Sequence, residues 1–134
     1  MPERGAAVAI SAPSIFDGAH FLRDHCVVVR SGTVSQVLPA RYSPDRLPVV
    51  ALEEGTLAPG LIDLQVNGGG DLLFNNQPGE QTLVAMLDAH RATGTTAMMP
   101  TLISDTRATR EHAVSAVRAA RAGGNAGILG IHLE

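Results

Sequence analysis

The hydrophobic rhythm of the chain changes near residue 56. Before it, apolar residues come in short runs parted by turn formers, and no helical period appears. Residues 8–10 and 15–16 read as strands, the second closed by the turn pair Asp17-Gly18. Residues 26–30 and 33–38 read as a hairpin in which Ser31-Gly32 makes the turn. A polar loop carrying three prolines covers 39–48, and 49–52 is a further strand. This pattern predicts a small antiparallel β layer of sandwich type over residues 1–55.

From Pro59-Gly60 onward the pattern alternates between periods. Ile62, Leu64 and Val66 are apolar on one side, and Asp63, Gln65 and Asn67 are polar on the other. That period of two is a strand's, because successive side chains leave opposite faces. Gly68-Gly69-Gly70 ends the strand and lets the backbone pass close to a neighbour. Leu83, Met86, Leu87 and His90 then share a helical face, with Gly94 at the place of a C-terminal cap. Residues 95–102 form a second strand, and Ser104-Asp105 offers an N-cap. Ala113, Val114, Ala116, Val117 and Ala120 line the next helix; Arg118 and Arg121 suit its C-terminal dipole, and Gly123-Gly124 stops it. Residues 126–134 read as a third strand. Strand–helix–strand–helix–strand implies a parallel sheet with right-handed crossovers. The prediction for residues 56–134 is therefore α/β: three parallel strands and two helices that begin a (β/α)8 TIM-type barrel. The barrel is incomplete, since closure takes eight strands and about 250 residues.

Composition narrows the partners. The net charge is -3, all ten basic residues are arginine, and aromatics are 3% of the chain. Neither nucleic acid nor an anionic membrane is an expected partner. No apolar run approaches the roughly 20 residues of a membrane span, and the N-terminus lacks the layout of a secretory signal. A single cysteine, Cys26, excludes an internal disulfide. A cytoplasmic protein is expected.

Candidate chemistry lies at the strand ends. If the polar row of the first strand and the Glu134 side of the third face inward, Gln65, Asn67 and Glu134 converge at the C-terminal rim, where barrel active sites sit. A carboxylate there can hold a divalent cation when imidazoles or further carboxylates join it. The plainer alternatives are an exposed terminal Glu134 and a buried, hydrogen-bonded His132 one layer below the rim. His90 falls on an apolar stripe and reads as core; His112 reads as solvated. No Walker loop and no Gly-x-Ser-x-Gly elbow is present.

Ala58-Pro59-Gly60-Leu61-Ile62-Asp63 resembles the start of the barrel in amidohydrolase-superfamily enzymes. Most of those continue with His-x-His, where this chain has Gln65-Val66-Asn67. Gln65-Val66-Asn67-Gly68, followed by Asp71, Asn75 and Asn76, resembles the N-acetylglucosamine-6-phosphate deacetylase family. So do Gly94-Thr95-Thr96, Pro100-Thr101-Leu102 and the closing Gly130-Ile131-His132-Leu133-Glu134.

The resemblance implies hydrolysis of N-acetyl-D-glucosamine 6-phosphate to D-glucosamine 6-phosphate and acetate, in amino-sugar catabolism. It implies one divalent metal per subunit, zinc first, with iron or another divalent ion as the alternative, and Glu134 as a metal ligand. Gln65 and Asn67 replace imidazoles by amides, which are poor zinc ligands and good hydrogen-bonders at the rim. In the family the catalytic Asp, two further His ligands and the phosphate contacts come later in the chain. The resemblance thus implies an N-terminal part, inactive alone, of a homo-oligomeric parent acting on a small amino-sugar phosphate. Two other readings stand beside it: a non-catalytic remnant or half completed by a partner, and another amidohydrolase such as a dihydroorotase, against which Gln65 and Asn67 argue.

Overall fold

In the computed structural model, which describes residues 7–44 and 46–134, the chain divides between Pro59 and Gly60 into two units. Residues 1–6 of the predicted β layer and residue 45 of its polar loop lie outside the described residues.

Among its described residues the first unit holds seven strands: β1 (Val8–Ser11), β2 (Ser14–Phe16), β3 (Phe21–Leu22), β4 (His25–Arg30), β5 (Thr33–Pro39), β6 (Val49–Ala51) and β7 (Thr56–Leu57). The β4–β5 hairpin forms because Ser31 and Gly32 both take positive φ, +50° and +76°, as a two-residue turn matching the strand twist requires. At the Asp17-Gly18 turn the Asp17 carboxylate accepts from the backbone N–H groups of Ala19 and His20, at 2.8 and 2.7 Å. The strands form two sheets, ordered β5-β4-β1-β6 and β3-β2-β7. The layer is not wholly antiparallel as expected, because β6 runs parallel to β1 and β7 parallel to β2. Parallel partners are joined by long connections, so a local pattern of hairpins does not show them. Ala9 and Val28 face each other in register and are fully buried. Cys26 is a small buried hydrophobe beside them.

The second unit comprises β8 (Leu61–Val66), β9 (Gly68–Gly69), β10 (Leu72–Leu73), α1 (Glu80–Arg91), β11 (Thr95–Leu102), α2 (Arg107–Ala122) and β12 (His132–Leu133). Its main sheet runs β12-β11-β8 and is parallel throughout, the order the strand–helix alternation predicts. Val66, Met98, Leu102 and Ile128 meet Leu83, Met86 and Leu87 of α1 and the alanine-rich face of α2 in one core that also encloses Phe74. Among the described residues no helix is long and apolar enough to cross a membrane.

Three details differ from expectation. The N-cap of α2 is Thr106, whose hydroxyl accepts from Thr109 N–H at 3.1 Å, in place of Ser104 or Asp105. His90 is not simply packed: its Nε2 lies 2.9 Å from the Gly68 carbonyl oxygen. Residues 126–134 are not one strand; a single bridge joins Ile128 to Met98, and pairing resumes only at β12. The reason is that Ile128 and Ile131 both turn to the core, and a spacing of three breaks the two-residue alternation. The expectation of one unbroken strand over residues 126–134 is thereby overturned.

Candidate functional site

Because β8, β11 and β12 are parallel, their C-terminal ends share one edge of the sheet. Gln65 lies near the end of β8, Asn67 just after it, and Glu134 just after β12. The Gln65 Nε2 donates to Glu134 Oε1, joining residues 69 positions apart. Gln65 is itself steadied by its backbone N–H, which donates to Asp63 Oδ1 at 3.0 Å. Two bonds fix the Glu134 backbone: its N–H donates to the Leu102 carbonyl at 3.1 Å, and its carbonyl accepts from Ser104 Oγ at 2.9 Å.

His132 stands next to this pair. Its Nδ1 lies 3.3 Å from the Leu64 carbonyl oxygen and its Nε2 3.9 Å from Glu134 Oε1. The side chain is 36% exposed, more open than a buried strand histidine. The Asn67 carbonyl accepts from Phe74 N–H at 2.9 Å, which closes the β9–β10 turn, where Gly70 and Asp71 take φ of +59° and +62°. The Asn67 side chain is hydrogen-bonded to neither Gln65 nor Glu134 among the described residues. The structure therefore brings Gln65 and Glu134 into contact and sets Asn67 at the same end without joining it to them.

The sequence reading named Asn75, Ser104 and Asp105 but missed the bonds by which they tie the loops together. Asn75 Oδ1 accepts from Ile103 N–H at 3.0 Å, while its Nδ2 donates to the Ile103 carbonyl at 2.9 Å and to Asp105 Oδ2 at 3.1 Å. Asp105 is held below its ordinary value chiefly by the Thr106 backbone N–H, then by the Thr109 hydroxyl and the Asn75 amide. Ser104, Asp105 and Thr106 are all capping types in a row. Only Thr106 caps α2, which leaves Ser104 free for Glu134.

A complete metal centre does not fit these residues. Among the described residues no three His, Cys, Asp or Glu side chains converge as ligands, whereas a zinc site takes three or more from the protein. Glu134 offers one carboxylate, with the His132 imidazole close by.

No family model matches the chain. It is 42% identical to the N-acetylgalactosamine-6-phosphate deacetylase of Shewanella sp. (strain ANA-3), over 90% of this chain and 32% of that one. It is 33% identical to the N-acetylglucosamine-6-phosphate deacetylase of Haemophilus influenzae, over 84% of this chain and 30% of the relative. Its fold is similar to the crystal structure of N-acetylglucosamine-6-phosphate deacetylase from Pasteurella multocida, with a TM-score of 0.89 and 29% identity, over 95% of this chain and 34% of that one. The chain spans about a third of the length of the curated relatives it matches. Over that third, the chain is a homologue of enzymes named N-acetylgalactosamine-6-phosphate deacetylase and N-acetylglucosamine-6-phosphate deacetylase.

Proposed function

We propose that these residues form part of a cytoplasmic metal-dependent deacetylase that hydrolyses N-acetyl-D-glucosamine 6-phosphate to D-glucosamine 6-phosphate and acetate. The second unit is read as the opening of a (β/α)8 barrel, with residues 1–55 as a separate β layer. The supporting observation is the Glu134 carboxylate, held on Gln65 at the edge shared by three parallel strands, in a chain related to deacetylases.

In the reaction a water adds to the acetamide carbonyl, the C–N bond breaks, and the departing amine takes a proton. A divalent cation, zinc by preference, supplies Lewis acidity and a more acidic water in such sites. Glu134 enters the proposal as one ligand only, and the remaining donors belong to a polypeptide of the relatives' length, read as a homo-oligomer. Gln65 engages one carboxylate oxygen of Glu134 and so orients the other. Asn67 lines the same rim and offers its amide to substrate. A second reading, in which the 4-epimer N-acetylgalactosamine 6-phosphate is the substrate, is favoured by the 42% identity to the Shewanella enzyme.

A hybrid enzyme tests this. The 134 residues replace the matching segment of the Shewanella deacetylase, and acetate release is measured with both epimers. The hybrid is expected to turn over, and Glu134→Gln to abolish turnover while leaving the fold intact. A folded hybrid in which Glu134→Gln keeps full activity would refute the role given to Glu134.

A further inference from the structure

We propose that Asn75 is a positioning residue for the rim: by gripping Ile103 it fixes the loop through which Ser104 holds Glu134 against Gln65. The hydrogen bonds make a closed circuit. Gln65 donates to Glu134, Ser104 donates to the Glu134 carbonyl, and neighbouring Ile103 is bonded at both backbone groups by Asn75. Phe74, next to Asn75, donates to the Asn67 carbonyl, and the backbone from Asn67 leads back to Gln65.

The chemistry of Asn75 suits this work. A carboxamide offers an acceptor and a two-proton donor on one planar group, so it can bond a residue as a neighbouring strand would. Here all three are used: Ile103 N–H on the oxygen, and the Ile103 carbonyl and Asp105 carboxylate on the nitrogen. An aspartate in its place would lose both donations and set a second carboxylate beside Asp105. The base of the grip is rigid, since the Phe74 side chain is fully buried in the core. The loop it holds is not: Ile103, Ser104 and Asp105 are all exposed, and exposed backbone gains little order from packing. Loss of Asn75 therefore frees Ser104 and removes one of the two backbone anchors of Glu134, leaving the Leu102 bond.

The inference takes its chemical meaning from the deacetylase reading, but the placement is testable without turnover. The side-chain amide signal of Gln65 is followed by nuclear magnetic resonance in the 134-residue chain. In the unmodified chain these amide protons are expected to be shielded from solvent exchange by the Glu134 carboxylate. Asn75→Ala should abolish that protection while the α1 amides of Leu83, Met86 and Leu87 keep their slow exchange. Ser104→Ala should do the same, and Ser104→Thr, which retains the hydroxyl, should restore it. General destabilisation would not single out Gln65 in this way. A Gln65 signal unmoved by Asn75→Ala in the folded chain overturns the proposal. Should that variant not fold, the Ser104 pair, altered only at an exposed hydroxyl, decides by the same signal. Turnover by the hybrid bears on the deacetylase reading alone, so the two ideas fail separately.

Discussion

At Gly60 the backbone runs hard against Thr96: a Cβ built there would lie 2.7 Å from the Thr96 Cβ. Carbons cannot approach so closely, and relief requires movement of β8 or β11. Gly60→Ala should cost on the order of 1–3 kcal/mol, the usual range for overpacking, read from urea unfolding. Thr101 presents the opposite case. It is fully buried, and its hydroxyl has no hydrogen-bond partner among the described residues. Removing an unpaired buried hydroxyl removes a desolvation penalty, so Thr101→Val should raise stability by about 1 kcal/mol. The urea midpoint should rise at unchanged slope; a fall would show that the hydroxyl is satisfied after all. Asp105 sets a pH limit. Its carboxyl titrates below the ordinary value of 3.8 when folded, chiefly through the Thr106 N–H. Its contribution is therefore complete above the unfolded value and lost as pH falls from near 3.8 through the folded one. Carbon-13 titration should find that Asn75→Ala moves the Asp105 pKa up, because one of its donors is gone.

Elements differ in how plainly they were written. Both helices were legible, since Leu83, Met86 and Leu87 in α1 and Ala113, Ala116, Val117 and Ala120 in α2 recur at helical spacing and are buried. Phe74 anchors the approach to α1, and Phe74→Ala should cost about 3–5 kcal/mol. Thr106→Ala should cost about 1 kcal/mol as a lost cap. Circular dichroism during thermal unfolding checks the ranking. The β4–β5 hairpin was equally plain, because its turn chemistry is local. Other features were hidden for physical reasons. β3 and β7 are two residues each, too short to show a period. The β1–β6 and β2–β7 pairings are nonlocal, and the third strand of the second unit is broken where Ile128 and Ile131 both seek the core.

For the molecule as a whole, Gln65 and Glu134 share one edge because the strands that carry them are parallel, and that parallel order follows from the strand–helix alternation. The parity of residues 126–134 did not contribute, since it breaks between Ile128 and Ile131. The grip of Asn75 on Ile103 was not legible, since no periodicity links a loop carboxamide to a backbone 28 residues away. With one carboxylate and no convergent ligand trio among the described residues, the 134-residue chain should show no submicromolar zinc binding by calorimetry. It should release no acetate from N-acetylglucosamine 6-phosphate; sustained turnover would mean that these residues suffice. The hydrogen-bonded circuit carries one more consequence, for the way energies combine. Its links between Asn75 and Glu134 lie in series, so opening one relaxes the next. Free energies of distant substitutions usually add, but those along one network do not. The double variant Asn75→Ala/Ser104→Ala should therefore be scarcely less stable than the worse single one, with a coupling energy of roughly 0.5–3 kcal/mol. The rim then behaves thermodynamically as one bond with several owners.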